Sequence, residues 1–124
     1  MSQTKTRILK TALVLFNDRG LSQVSLRDIA HEMDISVGNL TYYYKTRDAL
    51  VEALYLELVA QLDQLVGGMS PDALSLQLMH QFAKQSFEAF YAYRFIMIDF
   101  AQLIRYHDAI RTHYQQLSVF RTQQ

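Results

Sequence analysis

The sequence has no cysteine, no tryptophan, a single proline and only four glycines in 124 residues. Without cysteine the chain can have no disulfide, no cysteine-bound zinc and no thiol nucleophile. Its four histidines are scattered, and no Ser-His-Asp order, phosphate-binding loop or pair of carboxylates stands out. We therefore expect no metal site, no cofactor and no enzymatic activity.

Long hydrophobic runs are missing as well. The first ten residues, MSQTKTRILK, lack the apolar segment of a secretory signal, and no later stretch is long enough to span a bilayer. We therefore expect a cytoplasmic protein that makes no membrane contact. Half of the residues are hydrophobic and 19% are charged, which is typical of a folded chain and not of a disordered one.

The net charge is zero, but the charge is unevenly distributed along the chain. Residues 1–50 contain seven Lys and Arg against five Asp and Glu, a net charge of +2, and residues 51–124 contain five against seven, a net charge of −2. The small basic excess therefore lies in the N-terminal half, where contact with nucleic acid is the more favourable.

The spacing of apolar residues is helical almost throughout. In the segment 5–19, apolar side chains recur at intervals of three and four residues and share one face: Ile8, Leu9, Ala12, Leu13 and Phe16. Gly20 follows, where a glycine commonly ends a helix. These patterns predict an all-α fold.

Two short helices joined by a tight turn are predicted next. Ser25 and Asp28 form a capping-box-like pair at the start of the first. Its inner face consists of Ile29, Ala30 and Met33. Asp34 lies in the turn, and Ser36 caps a second short helix that ends at residue 43 or 44. A longer amphipathic helix followed by two short ones around a tight turn is the sequence form of a helix-turn-helix unit.

A long fourth helix should link this unit to the rest of the chain. Thr46 is its predicted N-cap, and its apolar stripe runs to about residue 66. The segment 67–71 is the one clear break, where we expect Ser70 to cap the following helix and Pro71 to occupy its first position. Further helices are predicted over about 71–93, 95–104 and 107–120.

The second short helix carries residues suited to reading DNA. Such a helix lies in the major groove and uses residues near its N-terminus. Short side chains there let the backbone approach the bases, and Asn39 can donate and accept at a base edge. Tyr42 and Tyr43 offer hydroxyls to phosphates, and Lys45 and Arg47 add two cations at the helix exit.

The stretch SLRDIAHEMDISVGNLTYYYKTRDALVEAL resembles the signature of the TetR family of transcriptional regulators. That signature reads roughly Thr/Ser-x-x-Asp-Ile-Ala, a short turn, Val/Ile-Ser-x-Gly-x-Leu-Tyr-x-His/Tyr-Phe, and then Lys or Arg before an acidic residue. The resemblance covers about residues 5–55. Two positions depart from it, because Asp34 stands where glycine is usual and Thr41 where tyrosine is usual.

The resemblance implies a role for each matching position. The core positions would be Ile29, Ala30, Leu40 and Tyr44. Backbone phosphates would be contacted by Arg27, Thr46 and Arg47. Together with the residue chemistry, this gives the candidate DNA-binding residues Arg27, Ser36, Val37, Gly38, Asn39, Thr41, Tyr42, Tyr43, Lys45, Thr46 and Arg47. Glycine within a helix costs about 1 kcal/mol relative to alanine, so close approach to DNA explains Gly38 better than chance does. For Arg27, a solvated surface charge is an equal alternative.

The second half is rich in aromatic residues. Phe87, Phe90, Tyr91 and Phe95 are spaced closely enough to share one face, where they would line a pocket for a small hydrophobic or aromatic ligand, or a partner surface. Ordinary packing between helices is the alternative for most of these rings. Family members commonly extend beyond this length, so the resemblance implies a truncated regulatory and dimerisation region.

We therefore expect a helix-turn-helix domain over 1–47, extending into the linking helix to about 62, and a helical ligand-binding and dimerisation region over 48–124. The predicted function is a sequence-specific, ligand-responsive repressor that binds a two-fold symmetric operator in double-stranded DNA as a homodimer. The alternative is a helical interaction or ligand-sensing module that retains this fold but not DNA binding. Its support is the near-zero net charge.

Overall fold

The computed structural model of the chain describes residues 3–67 and 75–123. Within those residues the secondary structure is entirely helical, which confirms the predicted all-α class. In chain order the elements are α1 (Gln3–Arg19), a 3-10 turn (Leu21–Gln23), α2 (Leu26–Met33), α3 (Val37–Tyr43), α4 (Arg47–Gly67), α5 (Leu76–Ala92), α6 (Arg94–Ile98), α7 (Phe100–Tyr106) and α8 (Asp108–Gln123).

Helix α1 forms the centre of the N-terminal packing. Its buried face matches the predicted one with one correction, because Leu15 is buried there while Leu13 is only partly buried against the core. Gly20 ends the helix as expected. Its amide donates to the Phe16 carbonyl at 2.9 Å, and its φ of 90° is a conformation that glycine adopts without steric cost.

The capping box at the start of α2 is present in full. The Ser25 backbone N–H donates to the Asp28 carboxylate at 2.9 Å, and the Asp28 backbone N–H donates to the Ser25 hydroxyl at 3.1 Å. At the other end, Asp34 has a left-handed backbone with φ 56° and ψ 45°. The Ile35 amide then donates to the Ala30 carbonyl at 3.0 Å. Aspartate therefore makes the turn at which the resemblance implied glycine.

Helices α3 and α4 begin at the predicted caps. The Ser36 hydroxyl accepts from the Asn39 amide at 3.0 Å, and the Thr46 hydroxyl accepts from the Ala49 amide at 3.1 Å. The apolar stripe of α4 is buried along its first three turns, at Leu50, Val51, Leu54, Tyr55 and Leu58. One continuous hydrophobic core runs from α1 through these residues to α8, where Ile110 is buried. The N-terminal helices are therefore packed directly onto the C-terminal ones.

The helix boundaries of the second half differ from the sequence expectation. The predicted cap at Ser70 and Pro71 lies outside the described residues, and α5 begins at Leu76 with Ser75 as its N-cap. The single helix predicted over 95–104 is wrong, because Asp99 adopts φ −102° and ψ 20° and separates α6 from α7. Aspartate has low helix propensity. Apolar residues nevertheless continue at helical intervals across it, so spacing alone does not locate the break.

Helix α8 and the residue before it pack against the N-terminal half of α4. The Tyr55 hydroxyl lies 3.0 Å from His113 Nδ1, and the Nε2 atom of buried His107 lies 3.7 Å from the Asp48 carboxylate. No helix in the described ranges has the length and hydropathy that crossing a membrane requires.

Candidate nucleic-acid interface

Helix α3 is anchored to the core from one side only. Leu40 is fully buried and Tyr44, just after the helix, is almost fully buried, which confirms both as core positions. The hydroxyl of Ser36 caps the first turn. The side chains opposite this anchor are exposed at Val37 and Asn39. The helix is therefore held in place from this side, and its N-terminal face remains open to a partner.

Gly38 lies on this open face, and the fold itself does not require glycine at this position. Its φ is not positive. A Cβ built at this position would meet only the Ser36 hydroxyl oxygen, at the ordinary contact distance of 3.9 Å. The absence of a side chain therefore creates an unfilled space on the surface of α3.

The three residues after Leu40 differ in their burial and in the contacts that they make within the fold. The Thr41 hydroxyl donates to the Gly38 carbonyl at 3.2 Å, so it is bonded within the helix. Tyr42 is 81% exposed, while Tyr43 is half-buried and packs against the core. The two rings meet edge to face with centroids 5.1 Å apart. Tyr43 therefore supports the exposed ring of Tyr42.

The polar residues around α3 are accessible. Arg27 is exposed in the first turn of α2, and Lys45 and Thr46 are exposed in the connection to α4. The Thr46 hydroxyl also serves as the α4 cap. The structure brings these residues to the surface of the same helix-turn-helix unit, and their contact with phosphates stays a prediction.

Arg47 has a role in the fold that the sequence did not suggest. Its Nη1 atom donates to the carbonyls of Leu21 at 3.0 Å and Val24 at 3.2 Å. The first residue of α4 thus holds the 3-10 turn that leads into α2. A guanidinium carries five N–H donors, so donors remain for the predicted phosphate contact. No local pattern could have revealed this link, since its partners lie 23 and 26 residues away.

Two pKa shifts reflect how the unit is held together. The Ser25 backbone N–H, followed by the Ser25 hydroxyl, lowers the pKa of Asp28 below its ordinary value. Burial, with a smaller effect from the Glu57 charge, raises the pKa of Tyr44. The Lys5 ammonium lies 5.5 Å from the centre of the Tyr44 ring. Asp28 is therefore held as a carboxylate at the α2 N-terminus, and Tyr44 as a neutral phenol.

The predicted aromatic pocket is not formed. Phe95 is 1% exposed and packs against Phe16, with ring centroids 5.1 Å apart. Phe87 and Tyr91 are 75% and 69% exposed on α5, and Phe90 is half-buried. The non-helical residue between α5 and α6 redirects the chain, so Phe95 does not continue the face that the other rings share.

A different cleft lies between α4 and α8. It has a volume of about 180 Å³. Its lining is Glu52, Tyr55, Leu56, Ala109, Ile110 and His113. Across the described parts of the chain, no three His, Asp or Glu side chains gather in a way that would hold a metal ion.

Comparison with protein families assigns both halves of the chain. The family described as "Bacterial regulatory proteins, tetR family" matches residues 8–54, and that described as "Bacterial transcriptional repressor" matches residues 57–124. The first match contains most of α1 with α2, α3 and the start of α4, and the second contains the second half of α4 and the helices after it.

Individual relatives agree with these assignments. Over 54 residues, 44% of this chain, the sequence is 41% identical to the probable regulator YttP of Bacillus subtilis and 33% identical to the regulator UidR of Escherichia coli. These segments are 26% of YttP and 28% of UidR, so the aligned part spans about a quarter of either relative. Both are named as transcriptional regulators, which agrees with the expectation that the chain is not an enzyme.

Solved structures extend the likeness to nearly the whole chain. A TetR-family regulator from Marinobacter aquaeolei superposes with a TM-score of 0.88 at 25% identity, over 94% of this chain and 58% of that one. The ketosteroid regulator KstR2 of Mycobacterium tuberculosis has the same fold, with a TM-score of 0.67 at 20% identity over 94% of this chain and 63% of its own. The resemblance carried by the Ser25–Leu54 stretch is thereby confirmed, and this chain belongs to the TetR family of bacterial regulatory proteins.

Proposed function

We propose that the chain is a DNA-binding transcriptional regulator, and more specifically a ligand-responsive repressor that binds a two-fold symmetric operator as a homodimer. The observation that carries the proposal is the open N-terminal face of α3. Val37 and Asn39 are exposed there beside the unfilled space at Gly38. The Ser36 cap and the buried Leu40 side chain hold the helix in place. A helix presented in this way suits the major groove, where the backbone must approach the base edges.

The proposed contacts divide into two groups. Base edges would be contacted by the face of α3, with Asn39 as the residue that distinguishes bases, since its amide can both donate and accept. Phosphates would be contacted by Arg27, Ser36, Tyr42, Tyr43, Lys45, Thr46 and Arg47. Phosphate contacts position the protein on any sequence, whereas base contacts discriminate between sequences.

The homodimer is supported by exposed apolar side chains on α5 and α6. Large hydrophobic residues exposed to solvent there are Leu76, Met79, Phe87, Tyr91, Met97 and Ile98. Apolar patches of this kind mark surfaces that pack against another protein. Two copies would place two α3 helices one helical turn of DNA apart, which requires a two-fold symmetric site.

Repression and ligand response rest on further observations. The family that matches residues 57–124 is described as a transcriptional repressor. The cleft between α4 and α8 adjoins α4, the helix that directly follows the helix-turn-helix unit. The lining of the cleft is mostly apolar around Tyr55 and His113. We propose that a small hydrophobic or aromatic ligand occupies this cleft. Its binding would change the spacing of the two helix-turn-helix units of the dimer, which are its DNA-reading units.

The test is a fluorescence-anisotropy titration with two labelled duplexes, one from the region upstream of the gene and one of scrambled sequence. We expect tighter binding to the upstream duplex, with an affinity that falls steeply as salt rises. Asn39→Ala should change the ratio between the duplexes, and Tyr42→Phe, which removes one hydroxyl, should weaken both alike. If the folded chain bound neither duplex at low salt, the proposal would be wrong and the interaction module without DNA binding would replace it.

A further inference from the structure

The break between α5 and α6 leaves backbone groups that need partners. Tyr93 ends one helix and begins the other with φ −115° and ψ 36°, and it supplies no side-chain cap to α6. Helix ends expose carbonyls of the last turn and amides of the first turn. At this break the Ala92 carbonyl and the Phe95 amide are such groups.

A single side chain from α1 satisfies both. Asn17 Nδ2 donates to the Ala92 carbonyl at 2.8 Å, and Asn17 Oδ1 accepts from the Phe95 amide at 3.0 Å. The orientation of the side-chain amide is fixed by these partners, because a carbonyl can only accept and a backbone amide can only donate. Aspartate would lack the donor, and glutamine would be longer by one methylene. Asparagine is thus the residue whose chemistry fits this break.

The residues on either side of Asn17 contact the same segment. Phe16 is fully buried and packs against Phe95, and the Asp18 carboxylate lies 3.5 Å from the Arg94 guanidinium. The Asp18–Arg94 pair is partly exposed and contributes little to stability. Three consecutive residues of α1 therefore contact the α5–α6 break, and the amide of Asn17 supplies its specific geometry.

We propose that Asn17 is a positioning residue, which fixes the orientation of the helix-turn-helix unit relative to the helices that follow α4. The unit packs on α1, and α1 contacts α6 as well as α4. Its direction is therefore set covalently through α4 and non-covalently through the contacts of α1, among which the Asn17 amide supplies the directional hydrogen bonds. A rearrangement of the α5–α6 break would move α1, and with it α3. This last step, from orientation to control of DNA binding, rests on the proposed function.

The first test measures hydrogen exchange at the Phe95 amide in the full chain. In Asn17→Ala we expect that amide to exchange roughly five- to tenfold faster, as loss of one hydrogen bond predicts. Asn17→Asp retains the acceptor, so the Phe95 amide should keep its protection. Asp18→Asn is the matched control, since it weakens only the neighbouring ion pair. Unchanged exchange in Asn17→Ala would overturn the proposed contact.

The second test measures orientation directly. The chain has no cysteine, so spin labels can be attached at Glu32→Cys on α2 and Lys84→Cys on α5, both exposed positions. Diluting the labelled chain with an excess of unlabelled chain restricts the measured distances to single molecules. We expect the distance distribution to broaden in Asn17→Ala and in Asn17→Asp, and to stay narrow in Asp18→Asn.

An unchanged distribution in both Asn17 variants would refute the positioning role. If Asn17→Ala fails to fold, Asn17→Asp alone decides, because it removes only the bond to Ala92. Neither measurement involves DNA. A failed DNA titration would therefore leave this inference intact, and a failed Asn17 test would leave the reading face of α3 intact.

Discussion

Replacing Gly38 with alanine should affect stability and DNA binding in opposite directions. The structure shows room for a methyl group, since a Cβ would meet only the Ser36 hydroxyl oxygen at 3.9 Å. Alanine is favoured over glycine by up to about 1 kcal/mol within a helix, and glycine-to-alanine changes at compatible sites stabilise by about 0.4–1 kcal/mol. For a chain of this size we expect the melting temperature to rise by roughly 2–5 °C.

The same methyl group should weaken DNA binding if the backbone at Gly38 approaches the bases. Filling a closely packed contact with one extra methyl group typically costs about 1–3 kcal/mol, which corresponds to roughly 5- to 150-fold in Kd. Thermal unfolding followed by circular dichroism gives the first quantity, and fluorescence anisotropy with the upstream duplex gives the second.

Gln77→Ala provides the matched control. Gln77 occupies the same position in α5, two residues after the N-cap Ser75, and it is exposed. This variant should be slightly more stable than the parent chain and should bind DNA equally well. A Gly38→Ala variant that binds DNA as tightly as the parent would refute the close approach. A destabilised variant would show that the space at Gly38 is not available.

Three further predictions concern other parts of the fold. Lys45→Gln and Arg47→Gln should each reduce the salt slope of DNA binding by about 0.9 for every helix-turn-helix unit bound. Only Arg47→Gln should also lower the unfolding free energy in urea, by roughly 1–3 kcal/mol, because two carbonyls lose their donor. The lowered pKa of Asp28 means that its capping contribution is present above pH 3.8 and is lost as the pH falls further, through the folded-state value. The melting temperatures of the parent and Asp28→Asn should therefore differ at pH 7 and approach each other as the pH falls below 3.8, and a constant difference would contradict the assignment. Burial, and then the Glu57 charge, raise the pKa of Tyr93 to about 12 from 10.0, so the parent should lose stability between those pH values. Tyr93→Phe should lose less, because only the other buried phenols with a raised pKa, such as Tyr44, still contribute. Alkaline unfolding curves test this, and parallel curves would refute it.

The parts of the fold that the sequence predicted correctly are made by near neighbours. Ser25 and Asp28 cap α2 across three residues, and the Ser36 hydroxyl accepts from an amide three residues on. Asp34 makes its turn with a left-handed backbone. Caps and turns are determined by atoms that lie within a few residues of one another, so their residue types and spacing were sufficient.

The parts that were missed or wrongly predicted depend on distant segments. Asn17 bonds to residues 75 and 78 positions away, and Arg47 bonds to carbonyls 23 and 26 positions away. Phe95 is a candidate for a pocket or a partner surface by its spacing, yet it packs against Phe16 of α1. Helical spacing describes which residues share a face of one helix, and it carries no information on which other helix covers that face.

These long-range contacts matter for DNA binding because the proposed reading unit carries few positive charges. The cations proposed to contact phosphates are Arg27, Lys45 and Arg47, and the last also bonds to two carbonyls. Three phosphate contacts made by charged side chains would give one helix-turn-helix unit a salt slope of only about −3. Affinity should therefore depend on both units of a dimer binding at once, which requires a fixed distance between them. Any residue that fixes the direction of α1 also fixes that distance. Asn17 should consequently influence DNA affinity without touching DNA, and its effect should vanish on a duplex that contains only one half-site.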